Sequence, residues 1–164
     1  MRKPVIGVMG GSKANRKVEA MARDLGRLIA ERGWILLNGG RNCGVMAASA
    51  AGAQEAGGFV IGILPDTTRT KAAPDLDVAI VTGLGDGRNL LNVLSSDVVI
   101  ACPGELGTLS EVVLALKHDK RVILLGFDLG PEFTKFCKRG QLTTVETPEE
   151  AVAEVGRALD LAGF

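Results

Sequence analysis

Arg88, in DGRNLLNVLSS, and Glu111, in PGELGTLSE, are the two side chains of this sequence whose types and surroundings are suited to chemistry. A guanidinium near a helix start can grip a phosphate or ribose in a bidentate way, its alternative reading being a solvated helix residue. A carboxylate at the end of a glycine-rich turn can repel an anionic ligand or act on one. Spacing alone, however, gives Glu111 a different task. Thr108-Leu109-Ser110-Glu111 has the form of a capping box, in which the Thr caps a helix and the Glu reaches back to the cap N–H. Thr147-Pro148-Glu149-Glu150 has the same form where no ligand is expected. Glu105 lies in the glycine turn itself, where a carboxylate opposes a phosphate unless it points away or accepts from a hydroxyl or amino group of the ligand.

Three turns rich in glycine follow apolar runs: Gly10, Gly11 and Ser12; Asn38, Gly39, Gly40, Arg41 and Gly44; and Pro103, Gly104, Gly107 and Thr108. Turns of this kind expose backbone N–H groups, and a helix starting there adds the positive end of its dipole, so the place suits an anion. Three of them at one end of a sheet point to a phosphate-bearing ligand. The familiar nucleotide motifs are absent. GVMGGS lacks GxGxxG spacing, the second apolar run ends at Asn38 rather than at an acid for a ribose, and no GK[ST] occurs, which disfavours NAD and Walker-type ATP chemistry. Arg41 reads equally as a ligand contact or a solvated loop residue, and Cys43 as a small packed residue rather than a nucleophile. Lys13, Asn15, Arg16 and Lys17 read as a basic rim or a solvated helix start, and His118, in the last turn of a helix, as structural.

The elements that must position these residues can be read from apolar patterning. PVIGVMGG, WILLNGG, FVIGILP, DVAIVT, DVVIACPG and RVILLG read as six strands, with QLTTVE as a further edge strand. NRKVEAMARDLGRLIAERG, GVMAASAAGAQEAG, DGRNLLNVLSS, ELGTLSEVVLALKHD and TPEEAVAEVGRALDLA read as helices, and DTTRTKAAPDL as a loop. Continuous Val, Ile and Leu strands alternating with helices predict an α/β, Rossmann-like, doubly wound fold: one domain over 1–164, its mostly parallel sheet flanked by helices. In such sheets ligands bind beyond the carboxyl ends of the strands.

Bulk properties narrow the classes further. The 164 residues are 46% hydrophobic, ample for one core, and Lys plus Arg balance Asp plus Glu at 19 each, which argues against nucleic acid or an anionic membrane as partner. Cys43, Cys102 and Cys137 are odd in number and widely spaced, suggesting neither a disulfide framework nor a zinc site and fitting a reducing cytoplasm. The apolar run after Met1 is too short for a signal-peptide core, and none reaches membrane-spanning length, so a soluble, unprocessed protein is expected.

GGRNCGVMAASAAGAQEAGG, the GRNLL helix and PGELGTLSE together resemble the Lonely Guy, or lysine-decarboxylase-like, superfamily over nearly the whole chain. Its signature PGGxGTxxE reads here as Pro103, Gly104, Glu105, Leu106, Gly107, Thr108 and Glu111. The resemblance implies two activities: hydrolysis of nucleoside 5′-monophosphates to free base and ribose 5-phosphate, with Arg88 and Glu111 in the catalytic roles, or binding without turnover. Two departures, Glu105 for a glycine and Arg88-Asn89 for an Arg-Lys pair, make the pocket less positive. The compact GRNLLNVLSSDVVIACPG region is similar to the branch of molybdenum cofactor carrier proteins, which bind a phosphorylated pterin. The expected function is binding of a phosphorylated nucleotide-like ligand, either molybdenum cofactor or a nucleoside monophosphate, with no cofactor or metal required. The alternatives are a phosphoribohydrolase or a nucleotide-sensing module. The resemblance also implies a homo-oligomer, dimer or tetramer.

Overall fold

Strands of unbroken Val, Ile and Leu need cover on both faces, and the chain supplies it by crossing repeatedly from one face of a parallel sheet to the other. The computed structural model describes residues 2–164. Its seven strands are β1 (Val5–Met9), β2 (Ile35–Asn38), β3 (Phe59–Leu64), β4 (Val78–Val81), β5 (Val98–Ala101), β6 (Arg121–Leu125) and β7 (Leu142–Val145). Its helices are α1 (Arg16–Glu31), α2 (Gly44–Glu55), α3 (Arg88–Ser95), α4 (Leu106–Lys117), α5 (Gly130–Thr134) and α6 (Pro148–Ala162). The sheet order is β4-β3-β2-β1-β5-β6-β7, and every neighbouring pair is parallel.

Side chains alternate across the sheet as a pleat requires. Val8 and Ile100 join Leu25 and Ile29 of α1, Ala50 and Ala53 of α2, and Val152 and Val155 of α6 in one buried cluster. Met9, Val99 and Ala101 face the other way, against Val93 of α3 and Val112 and Ala115 of α4. Each fully buried Leu, Ile or Val contributes about 1.5–3 kcal/mol, so the two clusters together carry the stability of the domain. The doubly wound α/β arrangement read from the sequence is the one observed.

From β1 the chain works outward through β2, β3 and β4, then returns through α3 to β5, on the other side of β1. The strand order therefore reverses between β1 and β5, the position where a crevice opens in sheets of this type. The pairing of Met9 with Ala101 ends the two strands level, so the turns that follow them begin side by side.

Helix α1 packs against α2 so closely that both backbones need glycine at the crossing. A Cβ on Gly26 would overlap the Ser49 carbonyl oxygen, and one on Gly52 would overlap that of Arg23. The ends of the helices follow local chemistry. The Asn15 side chain caps α1 by accepting from the Val18 N–H at 2.9 Å, which gives it a structural task in place of a rim contact. The Thr147–Glu150 capping box forms as its spacing predicts. DGRNLLNVLSS divides into a 3-10 turn, Gly85–Gly87, and a helix beginning at Arg88. Helix α5 is too short for periodicity to reveal, and the sequence reading passed over it. No helix among the described residues is long and apolar enough to cross a membrane. The three cysteines are unpaired, and burial pushes the Cys102 thiol up to about 12.

Candidate functional site

The turns after β1 and β5 touch backbone to backbone. The Gly11 N–H donates to the Pro103 carbonyl at 3.1 Å and the Cys102 N–H to that of Met9 at 2.7 Å. A Cβ on Gly11 would stand 3.2 Å from the Gly104 Cα and nearer still to the Lys13 carbonyl, so no larger residue fits. The third turn joins them through the Val45 N–H, which donates to Gly11 at 3.0 Å. Gly44, at φ 52°, takes a left-handed conformation that would be strained in any other residue. Asn38, at the position where a ribose-binding acid was missed, builds this turn. Its Oδ1 accepts from the Gly40 N–H at 2.8 Å while its Nδ2 donates to the Met46 carbonyl at 2.9 Å.

The three turns close around a cavity of about 170 Å³ that Gly10, Gly11, Ser12, Gly39, Arg41, Arg88, Glu105, Gly107, Thr108 and Glu111 help to line. Gly40, Gly44, Pro103 and Gly104, expected from the sequence to contact the ligand, are not part of its wall: Gly44 lines a groove between α1 and α2, and Gly104 an apolar one with Phe127 and Leu129. Arg16 and Cys43 line the same groove as Gly44. No group of three or more His, Cys, Asp or Glu among the described residues is placed to hold a metal ion.

Helix α4 begins three residues earlier than its presumed capping box requires. Glu105 is the N-cap, in extended conformation, and Leu106 is the first helical residue, so Thr108 already lies in the first turn. A capping Thr must stand outside the helix; the box at Thr108–Glu111 therefore does not form, and Glu111 is not a cap. The free N–H groups of this first turn, Gly107 and Thr108 among them, are instead available to the cavity. Thr108 is buried, its hydroxyl against Gly104, where a Cβ would displace it.

Glu111 is 7% exposed, and its Oε1 accepts from Asn92 Nδ2 at 2.9 Å. Burial pushes its carboxyl up to about 7, against the opposing pull of the Asn92 hydrogen bond and of Arg88. Arg88, half-buried, is held by backbone. Its Nη1 donates to the Ile63 carbonyl at 2.7 Å and to that of Gly39, and its Nε donates to Asn89 Oδ1 at 3.2 Å. Burial lowers its pKa from the usual value, with Glu111 opposing. A Cβ on Gly39 would stand 2.6 Å from Arg88 Nη1, so the guanidinium needs that glycine. Among the described residues no ion pair within 4 Å joins Arg88 to Glu111; the two share the cavity wall as separate charges. Arg41 also reaches the cavity, but Asp66 holds it through contacts of 2.8 and 3.0 Å that raise its pKa.

Asn89, noted in the sequence as standing where an Arg-Lys pair has its Lys, lines the cavity, as do Asp86 and Met46, which were not singled out. Asn92 stands four residues after Arg88 on the same helical face, and that spacing was the available signal for it.

The profile of the SLOG cluster4 family matches residues 3–152. The chain belongs to that family. It is a compact member of the Lonely Guy superfamily, as the Pro103–Glu111 motif implied. Among curated relatives, the cytokinin riboside 5′-monophosphate phosphoribohydrolase of Mycobacterium tuberculosis is 33% identical over 122 residues, 70% of this chain and 65% of that enzyme. Among solved structures, the molybdenum cofactor binding protein of Rippkaea orientalis is 49% identical, with a TM-score of 0.92 over 97% of this chain and 99% of that one. The molybdenum cofactor carrier protein of Chlamydomonas reinhardtii is 43% identical, with a TM-score of 0.89 over the same shares. Seen beside the family motif, Glu105 places an exposed carboxylate on the rim of the SLOG cavity where the signature has glycine.

Proposed function

We propose that this SLOG protein binds a phosphorylated nucleotide-like ligand without turning it over, as a carrier of the molybdenum cofactor type. One observation carries the reading: the unpaired N–H groups at the start of α4 and the backbone-held Arg88 guanidinium face one cavity at the strand-order reversal. The phosphate lies against Gly107 and Thr108, with Arg88 neutralising its charge. The match to the carrier structures over nearly the whole length of both chains supports the carrier reading.

The hydrolase reading retains one supporting observation, the buried Glu111 carboxyl on the cavity wall, poised near neutrality to act on a ribose. There the bond between base and ribose C1 breaks, the carboxylate stabilises the cationic sugar, water adds at C1, and the proton that water gives up ends on the departing base. Incubation with AMP and chromatography for free base separates the two: base release overturns the carrier reading, and retained ligand without base supports it. Arg88→Ala is expected to weaken ligand binding 10- to 100-fold, the loss of a charge-assisted pair of roughly 1.5–3 kcal/mol. Unchanged affinity in the folded variant would remove Arg88 from the site.

The proposal includes a homo-oligomer. Helices α3 and α4 leave Leu91, Leu94 and Val113 exposed on the surface, and burial of such side chains against a second copy would be favourable. Leu94→Glu is expected to lower the solution mass to that of a smaller assembly; an unchanged multimer would place the contact elsewhere.

A further inference from the structure

Asn92 is fully buried, and the phosphate reading assigns it no task. Its backbone carbonyl accepts from Ser96 Oγ at 2.7 Å and its Nδ2 donates to Glu111 Oε1 at 2.9 Å. Its Oδ1, among the described residues, is the one buried side-chain polar atom without a hydrogen-bond partner. An orphaned acceptor is costly in a protein interior and calls for a reason.

The neighbouring group supplies one. A half-turn of the carboxamide exchanges Nδ2 and Oδ1. With Nδ2 toward Glu111, the amide donates to a carboxylate; with Oδ1 toward it, the amide accepts from a carboxylic acid. Glu111 is thus bonded in either charge state, and with no partner on its outer atom nothing pins the carboxamide in one orientation. The cavity gives reason for both states to occur. Glu111 shares the cavity wall with Arg88 from α3, which acts on it directly, and with Asp86 from the 3-10 turn, Arg41 from the loop after β2 and Glu105 from the start of its own helix. Two guanidiniums thus meet three carboxyls, and Asp66 already occupies Arg41. A phosphate entering this surplus of negative charge is best accommodated when Glu111 takes up a proton.

We propose that Asn92 is the positioning residue that lets Glu111 change protonation state in place, donating to it as a carboxylate and accepting from it as an acid when a phosphate occupies the cavity. The last clause rests on the phosphate reading of the site; the exchange between the two side chains does not. Burial, which holds Glu111 near 7, makes both states accessible around neutrality.

The exchange is tested on the ligand-free protein by infrared titration of the carboxylic C=O band of carbon-13-labelled glutamate. Glu111→Gln assigns the band. In Asn92→Leu the carboxylate loses a charge-assisted donor while the acid loses only a weaker neutral partner. The midpoint is therefore expected to rise by about one pH unit, a tenfold change in proton affinity, and the acid band to move to the position of an unbonded carbonyl. Asn92→Ala gives the same readouts if the leucine disturbs folding. Unmoved midpoint and band in the folded variants would overturn the proposal. The linkage is read by calorimetry with AMP at pH 8 in two buffers of different ionisation enthalpy. Uptake approaching one proton in the wild type, absent in Glu111→Gln, supports the coupling, and AMP binding without uptake overturns it. Absence of AMP binding counts against the phosphate reading and leaves the infrared result to judge Asn92.

Discussion

Glu111→Gln is expected to make the protein more stable than the wild type at pH 8, by up to about 3 kcal/mol, and no more stable at pH 4. The folded protein holds the Glu111 proton up to about 7, whereas the unfolded chain releases it near the ordinary glutamate value of 4.5. Between those values the native state binds more protons, so its stability falls as pH rises; above the folded value the loss is complete. Below the unfolded value both states are protonated and Glu111 carries no penalty. Glutamine keeps the shape and, through its amide N–H, can donate to Asn92 Oδ1, while never ionising. Urea unfolding at pH 4 and pH 8 reads the effect directly. A stability difference that is the same at both would show that Glu111 titrates normally. The same variant separates the functional readings, because a hydrolase would lose base release while a carrier would retain its ligand.

Gly52→Ala is expected to destabilise the protein by about 3 kcal/mol or more, since overpacking with no room to relax is among the costlier core changes. On propensity alone the sign would be opposite, as Ala in a helix interior is favoured over Gly by about 1 kcal/mol. Geometry outweighs propensity here because the new methyl would enter the Arg23 carbonyl oxygen of α1. Backbone atoms cannot rotate aside, so the helices must separate and loosen the cluster around Leu25, Ile29 and Ala53. Gly156 in α6 provides the control: the nearest atom to its added Cβ is the mobile Arg32 Nη1 at 3.9 Å, and Gly156→Ala is expected to stabilise by about 1 kcal/mol. Denaturant midpoints of the two variants should move in opposite directions. A neutral Gly52→Ala would mean that the helices stand further apart than described.

The contrast between Thr147 and Thr108 shows where sequence reasoning is sufficient and where it stops. Both carry a Glu three residues on, but only Thr147 lies outside its helix, because Pro148 fixes where α6 begins. No such marker precedes Thr108, and α4 runs back to Leu106. Strands and most helices were legible because continuous Val, Ile and Leu or their helical spacing are local signals. The three glycine turns were legible for the same reason. Arg88's bonds to the Gly39 and Ile63 carbonyls, the pairing of Asn92 with Glu111, and the entry of Asp86 and Met46 into the cavity wall join distant segments. Only the completed sheet brings them together. Asn38 was noted for the acid it is not, while its hydrogen bonds to Gly40 and Met46 were invisible in a linear reading.

Arg88 belongs to α3, yet its guanidinium grips the carbonyls of Gly39 and Ile63, just beyond β2 and within β3. The cation offered to a ligand is thus also a clasp across one half of the sheet, and it is seated on a glycine that can accept no side chain. Selection acting on ligand preference has little freedom at such a point, because a change of charge there also unfastens the strand ends. Glu105 has no such ties: it is exposed, caps nothing with its side chain, and stands at the cavity mouth. Divergence of specificity within this scaffold should therefore collect at the rim, at Glu105 and its neighbours, while the clasp beneath stays fixed.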